Sequence, residues 1–214
     1  MKAFYFADNN KKLRYGDGRQ IRVGRTHKVK GKPKLCVHGL HASKKLIDAL
    51  YYAPGHHLYL VELSGDFDKC DDKVCATERT YLAHFDSEKL LKEFARKQAL
   101  INIEKIKAYC STEDYNLILK WLNTGDRELQ SAARKAAKAT TWSAVDRAAR
   151  TAARATAWST EKATTKAAAW LATDQAVRAV ANKMLTDMVK DKTGWEIKEL
   201  DWLESERHTS TATR

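Results

Sequence analysis

Basic side chains recur along the second half of the chain at spacings that fit one side of a helix. Arg147, Arg150 and Arg154 lie three and then four residues apart, which places them on a common helical face. Cations at this spacing can follow the phosphates of a nucleic acid and release its counterions. The candidate binding residues are Arg134, Lys138, Arg147, Arg150, Arg154, Lys162 and Lys166. A solvated helix face is the alternative.

Tryptophans interrupt the same region in a repeating Ala-Thr-x-Trp-Ser unit. Trp142 and Trp158 lie 16 residues apart in two similar segments, 134–150 and 150–166. Exposed indoles could stack on bases, whereas buried indoles would supply the packing area between helices. We favour buried tryptophans in a stack of short helices, with a long helix or a helical hairpin as the alternative architecture.

Five cysteine and histidine side chains offer the nitrogen and sulfur ligands that zinc prefers. They are Cys36, His38, His41, Cys70 and Cys75. No Cys-x-x-Cys pair occurs among them, and their spacing matches no common zinc module. We therefore predict buried thiols and partly exposed histidines at these positions, with no metal and no cofactor.

Three segments of the first half resemble the core of the ADP-ribosyltransferase fold: GLHAS at 39–43, ALYYA at 49–53 and LYLVELSG at 58–65. The resemblance implies a strand, a helix ending in tyrosine and a second strand around a pocket for NAD. Ser43 and Tyr52 would line that pocket, Glu78 would polarise the ribose, and His27 or Arg25 would be the upstream polar residue. The alternative is that the same pattern only builds a hydrophobic core.

Residues 1–85 are also similar to an uncharacterised domain of tailed-phage and prophage proteins. The similar segments are CVHGLHAS, DALYYAPG, LYLVELSG and DKVCA. In that family the domain is often followed by alanine-rich repeats, as in this chain. The resemblance implies a phage protein that acts by binding in the host cytoplasm, on nucleic acid or a nucleoprotein defence complex. A virion-associated structural oligomer is a further alternative.

The elements that would position these residues divide the chain into two halves. Strands are predicted at Met1–Ala7 and His57–Leu63, the second ending at Ser64-Gly65, and a helix at Lys44–Tyr52 with Ser43 as its N-cap. Weaker strands are predicted at Ile21–Val23 and Thr26–Val29, which would form a hairpin, and at Leu35–Val37, Lys73–Ala76 and Tyr81–His84. Helices are predicted at Glu88–Ala99 and Glu113–Asn123.

The second half lacks both proline and glycine from Arg127 to Lys192, and alanine dominates it. Because alanine is the best helix former, we predict helix throughout. The fold class is therefore α+β, with a mixed α/β domain at 1–105 and a connecting helix at 106–125. An all-helical alanine-rich repeat or bundle follows at 126–203, and a flexible tail at 204–214.

Composition narrows the class of protein. The formal net charge of +12, from 39 Lys and Arg against 27 Asp and Glu, favours an anionic partner. No apolar run is long enough for a membrane span, and the N-terminus lacks a secretory signal. Four cysteines are few for a disulfide-stapled secreted domain. We therefore expect a cytoplasmic protein with no membrane partner that could form homo-oligomers.

Overall fold

A computed structural model describes residues 1–143 and 175–197 of the 214-residue chain. Within these ranges it is a mixed α/β protein, with an antiparallel five-stranded sheet and several helices. The strands are β1 (Lys2–Ala7), β2 (Thr26–Lys28), β3 (Leu40–Ala42), β4 (His57–Lys69) and β5 (Val74–Asp86). The helices are α1 (Leu46–Tyr51), α2 (Glu88–Leu100), a 3-10 helix (Ile103–Tyr109), α3 (Thr112–Thr124), α4 (Arg127–Ser143) and α5 (Gln175–Thr193). None of these described helices has the length and apolar character needed to cross a bilayer.

The long hairpin of β4 and β5 is the centre of the sheet. β1 pairs with β4, while β2 and β3 pair with different parts of β5. The predicted end of β4 at Ser64-Gly65 is wrong, because the strand continues to Lys69 through an irregularity between Ser64 and Phe67. Gly65 has a φ of +78°, which lets the chain bend there without leaving the ladder.

Two other predictions about short strands are wrong. Ile21–Val23 forms no hairpin with Thr26–Val29, since β2 pairs instead with β5, where His27 faces Arg79. Leu35–Val37 is a turn that follows a β-bridge residue, Lys34, which pairs with His38. Cys36 in this turn has a φ of 62°, a conformation that a strand residue does not adopt.

Ser43 belongs to the sheet and does not cap the first helix. Its backbone N–H donates to the Phe4 carbonyl at 2.9 Å, and its carbonyl accepts from the Phe4 N–H at 2.7 Å. α1 begins at Leu46 after Lys45, with no side-chain cap. The predicted cap is wrong because the ladder uses the backbone of Ser43, which connects the end of β3 back to β1.

One face of the sheet packs against helices from both ends of the chain. Phe4, Phe6 and Leu58 form a core with buried residues of α1, α2 and α5. α5 is held to α1 by two polar contacts: the Arg178 guanidinium lies 2.6 Å from Asp48, and the Asn182 side chain accepts from the Ile47 N–H at 3.2 Å. The last described helix is therefore part of the helical layer of the N-terminal half.

A second core joins the 3-10 helix, α3 and α4. The Ser111 side chain accepts from the Asp114 N–H at the start of α3, and Gly125, with a φ of +67°, ends the helix. Ala133, Ala136 and Ala137 of α4 are buried against this cluster. Their small side chains let α4 approach α3 closely, so the alanine content of this segment serves packing as well as helix formation.

The other face of the sheet encloses a buried arginine. Arg79 is only 2% exposed, and its Nε and Nη2 atoms donate to the Tyr81 hydroxyl at 3.1 and 2.8 Å. A third guanidinium nitrogen donates to the His41 carbonyl, and the Tyr5 ring centroid lies 3.7 Å from Cζ. A buried cation needs such hydrogen bonds and π contacts to offset its lost hydration.

His27 completes this network from the neighbouring strand. Its Nδ1 lies 3.0 Å from the Tyr81 hydroxyl, and its Nε2 is buried with no hydrogen-bond partner in the described part of the chain. Because the hydroxyl oxygen accepts from Arg79, its proton is directed to Nδ1, which assigns the ring proton to Nε2. Burial, together with Arg19, Arg79 and Arg25, lowers the pKa of His27.

We expect Arg79→Ala to destabilise the fold by about 3–5 kcal/mol, because it removes packing and leaves two buried acceptors without donors. Urea unfolding followed by circular dichroism measures the free energy of unfolding. Arg22→Ala, which removes an exposed guanidinium, is the matched control and should change that free energy by less than about 0.5 kcal/mol. Equal effects of the two substitutions would contradict a central role for Arg79.

The lowered pKa of His27 predicts a loss of stability in acid. The unfolded chain takes up a proton near the ordinary value of 6.5, while folded His27 stays neutral to lower pH. The unfolded state therefore binds more protons, and the free energy of unfolding falls as pH drops below about 6.5. His27→Asn keeps a partner for the Tyr81 hydroxyl and should make the fall shallower between about pH 7.5 and pH 5.5. Identical profiles for variant and wild type would refute this account.

Candidate nucleic-acid interface

Positive charge is concentrated in one segment of the N-terminal half. Residues 11–34, which we call the basic layer, contain ten Lys and Arg and one acidic residue, Asp17. The layer therefore contributes nine of the twelve net positive charges of the chain. A segment of this composition would be a disordered tail if nothing held it in place.

Apolar anchors and backbone hydrogen bonds hold the first part of the layer in a defined shape. Leu13 and Ile21 are buried in the core of the sheet. The Leu13 N–H donates to the Arg19 carbonyl at 2.9 Å, and the Ile21 N–H donates to the Lys11 carbonyl at 2.8 Å. The basic side chains between these anchors consequently project from an ordered backbone.

The second part of the layer is tied to the sheet edge. The Gly24 N–H donates to the Tyr81 carbonyl at 2.8 Å, and the Tyr81 N–H donates to the Arg25 carbonyl at 3.1 Å. The Arg19 guanidinium reaches the Lys28 carbonyl at 3.0 Å and so joins the two parts. The cations of both parts are therefore presented by adjoining backbone segments.

Most cations of the layer are available to a partner. Arg19 is paired with Asp17, and Lys28 with Glu78, each at 2.7 Å. Seven other cations are exposed and have no carboxylate within 4.0 Å among residues 1–143 and 175–197: Lys12, Arg14, Arg22, Arg25, Lys30, Lys32 and Lys34. This surface carries far more positive charge than its own carboxylates neutralise.

An exposed aromatic side chain lies beside one of these cations. Tyr15 is 95% exposed, and Arg14 Cζ lies 5.1 Å from the centroid of its ring. Its φ of 58° places it at the tip of the turn that the Tyr-Gly-Asp-Gly sequence forms. An exposed ring next to phosphate-binding cations is the arrangement on which unpaired bases stack.

The structure describes two of the seven cations that were predicted as binding residues on the alanine-rich helices. Arg134 is half-buried and Lys138 exposed on α4. Five predicted residues lie outside the described residues: Arg147, Arg150, Arg154, Lys162 and Lys166. Sequence reasoning that followed helical periodicity missed the basic layer, although a count of charges along the chain would have found it.

The four residues assigned by resemblance to an NAD pocket occupy separate environments. Glu78 and Arg79 are consecutive on β5 and point to opposite faces; His27 lies on the Arg79 face, and Lys28 pairs with Glu78 on the other. Ser43 is buried in its bridge to Phe4. Tyr52 is exposed, and its hydroxyl donates to Asp72 at 2.5 Å. Glu78 and His27 therefore lie on opposite faces of the sheet.

The cysteine and histidine set forms no compact group of three ligand atoms among the described residues. The prediction of buried thiols holds for Cys75 alone of the first-half cysteines, since Cys36 and Cys70 are exposed. The Cys36 N–H donates to His41 Nε2 at 3.1 Å. His38 Nε2 donates to the Lys30 carbonyl at 2.7 Å. These contacts shape residues 30–39, where a turn replaces the predicted strand Leu35–Val37.

Comparisons with known proteins bear on the half of the chain that contains this layer. No curated protein and no solved structure matches the chain. Residues 1–93, which include the sheet and the start of α2, match the family model described as a domain of unknown function (DUF7666).

Proposed function

We propose that this protein binds nucleic acid without catalysis, through the basic layer, and that it prefers single strands. The observation that supports the proposal is the set of seven exposed cations of the layer with no carboxylate within 4.0 Å in the described residues, together with the exposed ring of Tyr15 in the same layer. Lysine and arginine side chains that contact phosphates release condensed counterions, which favours binding without regard to sequence. Tyr15 adds stacking on unpaired bases, which a duplex does not offer.

We also propose that this is a phage protein acting in its host, as its resemblance to phage domains implies. The partner is then host nucleic acid, or a nucleoprotein defence complex, in the host cytoplasm. We further propose that the alanine-rich second half is an all-helical repeat or bundle. Its predicted basic face, from Arg134 to Lys166, would extend the contact along the same strand. The contact made by the basic layer is supported by its ordered backbone, because a layer already fixed to the sheet loses little conformational entropy on binding.

The test is fluorescence anisotropy of the full chain with labelled single strands and duplexes over a range of salt. The triple substitution Lys30→Gln, Lys32→Gln and Lys34→Gln should weaken binding at least tenfold. It should also reduce the slope of log affinity against log salt by about 2, from about 0.7 for each lost phosphate contact. Tyr15→Ala should weaken binding to single strands by about tenfold or more and leave duplex binding nearly unchanged.

A matched control removes the same charge from another surface. Lys89, Lys105 and Lys120 are exposed on α2, the 3-10 helix and α3, and their replacement by Gln should leave the salt slope unchanged. If the control weakens binding as much as the layer variant does, net charge rather than the layer is responsible. If reversal of Arg147, Arg150 and Arg154 abolishes binding while the layer variant binds normally, the interface is on the helical half and the layer assignment is wrong.

A further inference from the structure

Three donor side chains converge where the hairpin of β4 and β5 meets α2. Ligand atoms of His56, His57 and Asp86 all lie within 4.8 Å of one another, and no other group of at least three His, Cys, Asp or Glu side chains is this compact in the described ranges. None of these residues belongs to the basic layer or to the predicted zinc ligands. Their grouping is therefore an independent feature of the fold.

Strand register produces the grouping. His57, at the start of β4, directly faces Asp86, at the end of β5. His84 precedes Asp86 by two residues, so it lies on the same face of β5, with its Nε2 3.1 Å from His57 Nδ1. His56 is fixed by α2, because its carbonyl accepts from the Ser87 N–H at 3.1 Å and from the Ser87 hydroxyl at 2.6 Å.

The donor types and the one close ligand distance suit a zinc ion. Ligands about 2.0–2.2 Å from a tetrahedral zinc lie about 3.3–3.6 Å from each other. His56 Nε2 and Asp86 Oδ1 are 3.5 Å apart, within this range, and the ligand atom of His57 lies within 4.8 Å of both, so the His57 ring would move towards the ion on binding. Two imidazoles and one carboxylate form a donor set typical of zinc sites with an open position.

Supporting contacts and access are also present. The Glu88 N–H donates to Asp86 Oδ1 at 3.2 Å, which orients the carboxylate as outer hydrogen bonds do in metal sites. The side chain of Asp86 is 57% exposed and that of His56 is 22% exposed, so an ion can enter from solvent. His57 is buried, so solvent does not reach the group from its side.

We propose that His56, His57 and Asp86 bind a zinc ion and that His84 orients the His57 ring. The ion would tie the beginning of β4, the end of β5 and the beginning of α2 together, with one coordination position left to water. The proposal does not depend on nucleic-acid binding.

Isothermal titration of the full, metal-free chain with zinc chloride tests the site. Loss of an outer hydrogen-bond partner of a metal ligand weakens metal binding about 10–100-fold. His56→Gln and Asp86→Asn remove direct ligands, so each should weaken zinc binding by at least that factor. Asp86→Asn retains an oxygen for the Glu88 N–H, so the start of α2 is preserved. His38→Gln replaces an exposed histidine of the turn at residues 30–39. It is the matched control and should bind zinc as the wild type does.

Cobalt substitution separates this site from the exposed thiols. Bound cobalt should show the visible bands of nitrogen and oxygen ligation and no thiolate charge-transfer absorption. Thiolate absorption would assign the metal to Cys36 or Cys70 and overturn the proposal. It would also be overturned by wild-type zinc affinity in both His56→Gln and Asp86→Asn, or by no binding in the wild-type chain.

Discussion

The buried guanidinium of Arg79 is the interaction on which the N-terminal sheet depends. It donates from β5 to the Tyr81 hydroxyl on its own strand and to the His41 carbonyl on β3, and it lies over the Tyr5 ring of β1. His27 of β2 meets the same hydroxyl. One cation thus links four strands, and its burial is tolerated because three of its hydrogen bonds go to fixed acceptors and an aromatic ring covers it.

The buried Arg79 cation adds to the positive charge of the basic layer on the same sheet. The basic layer adds nine net charges next to a sheet that already contains the Arg79 guanidinium, which has no carboxylate within 4.0 Å in the described part of the chain. Self-repulsion at this density opposes compaction, and anchors such as Leu13 and Ile21 must overcome it. A polyanion bound to the layer would relieve the repulsion, so binding and folding stability would be linked through mass action.

The two halves of the chain are joined more closely than their compositions indicate. α4 belongs to a core of its own with α3, whereas α5 returns to α1 and α2 beneath the sheet. Asp48 is buried and accepts from Arg178, a contact between residues 130 positions apart. The end of the alanine-rich half, α5, is therefore anchored on the same sheet that holds the basic layer on its other face.

The sequence by itself determined the elements that depend on residues close together in the chain. The apolar and aromatic residues of β1 and β4 predicted strands, and the helix predicted at Glu113–Asn123 lies within α3, because helix and strand propensities act within a few positions. The charge excess of residues 11–34 is likewise plain in the sequence. Tertiary structure alone decided the pairing of β2, the place of Ser43 in the sheet, the burial of Arg79 and the meeting of His57 with Asp86. Each of these depends on strand register between distant residues, where a shift of one position would turn every side chain to the other face.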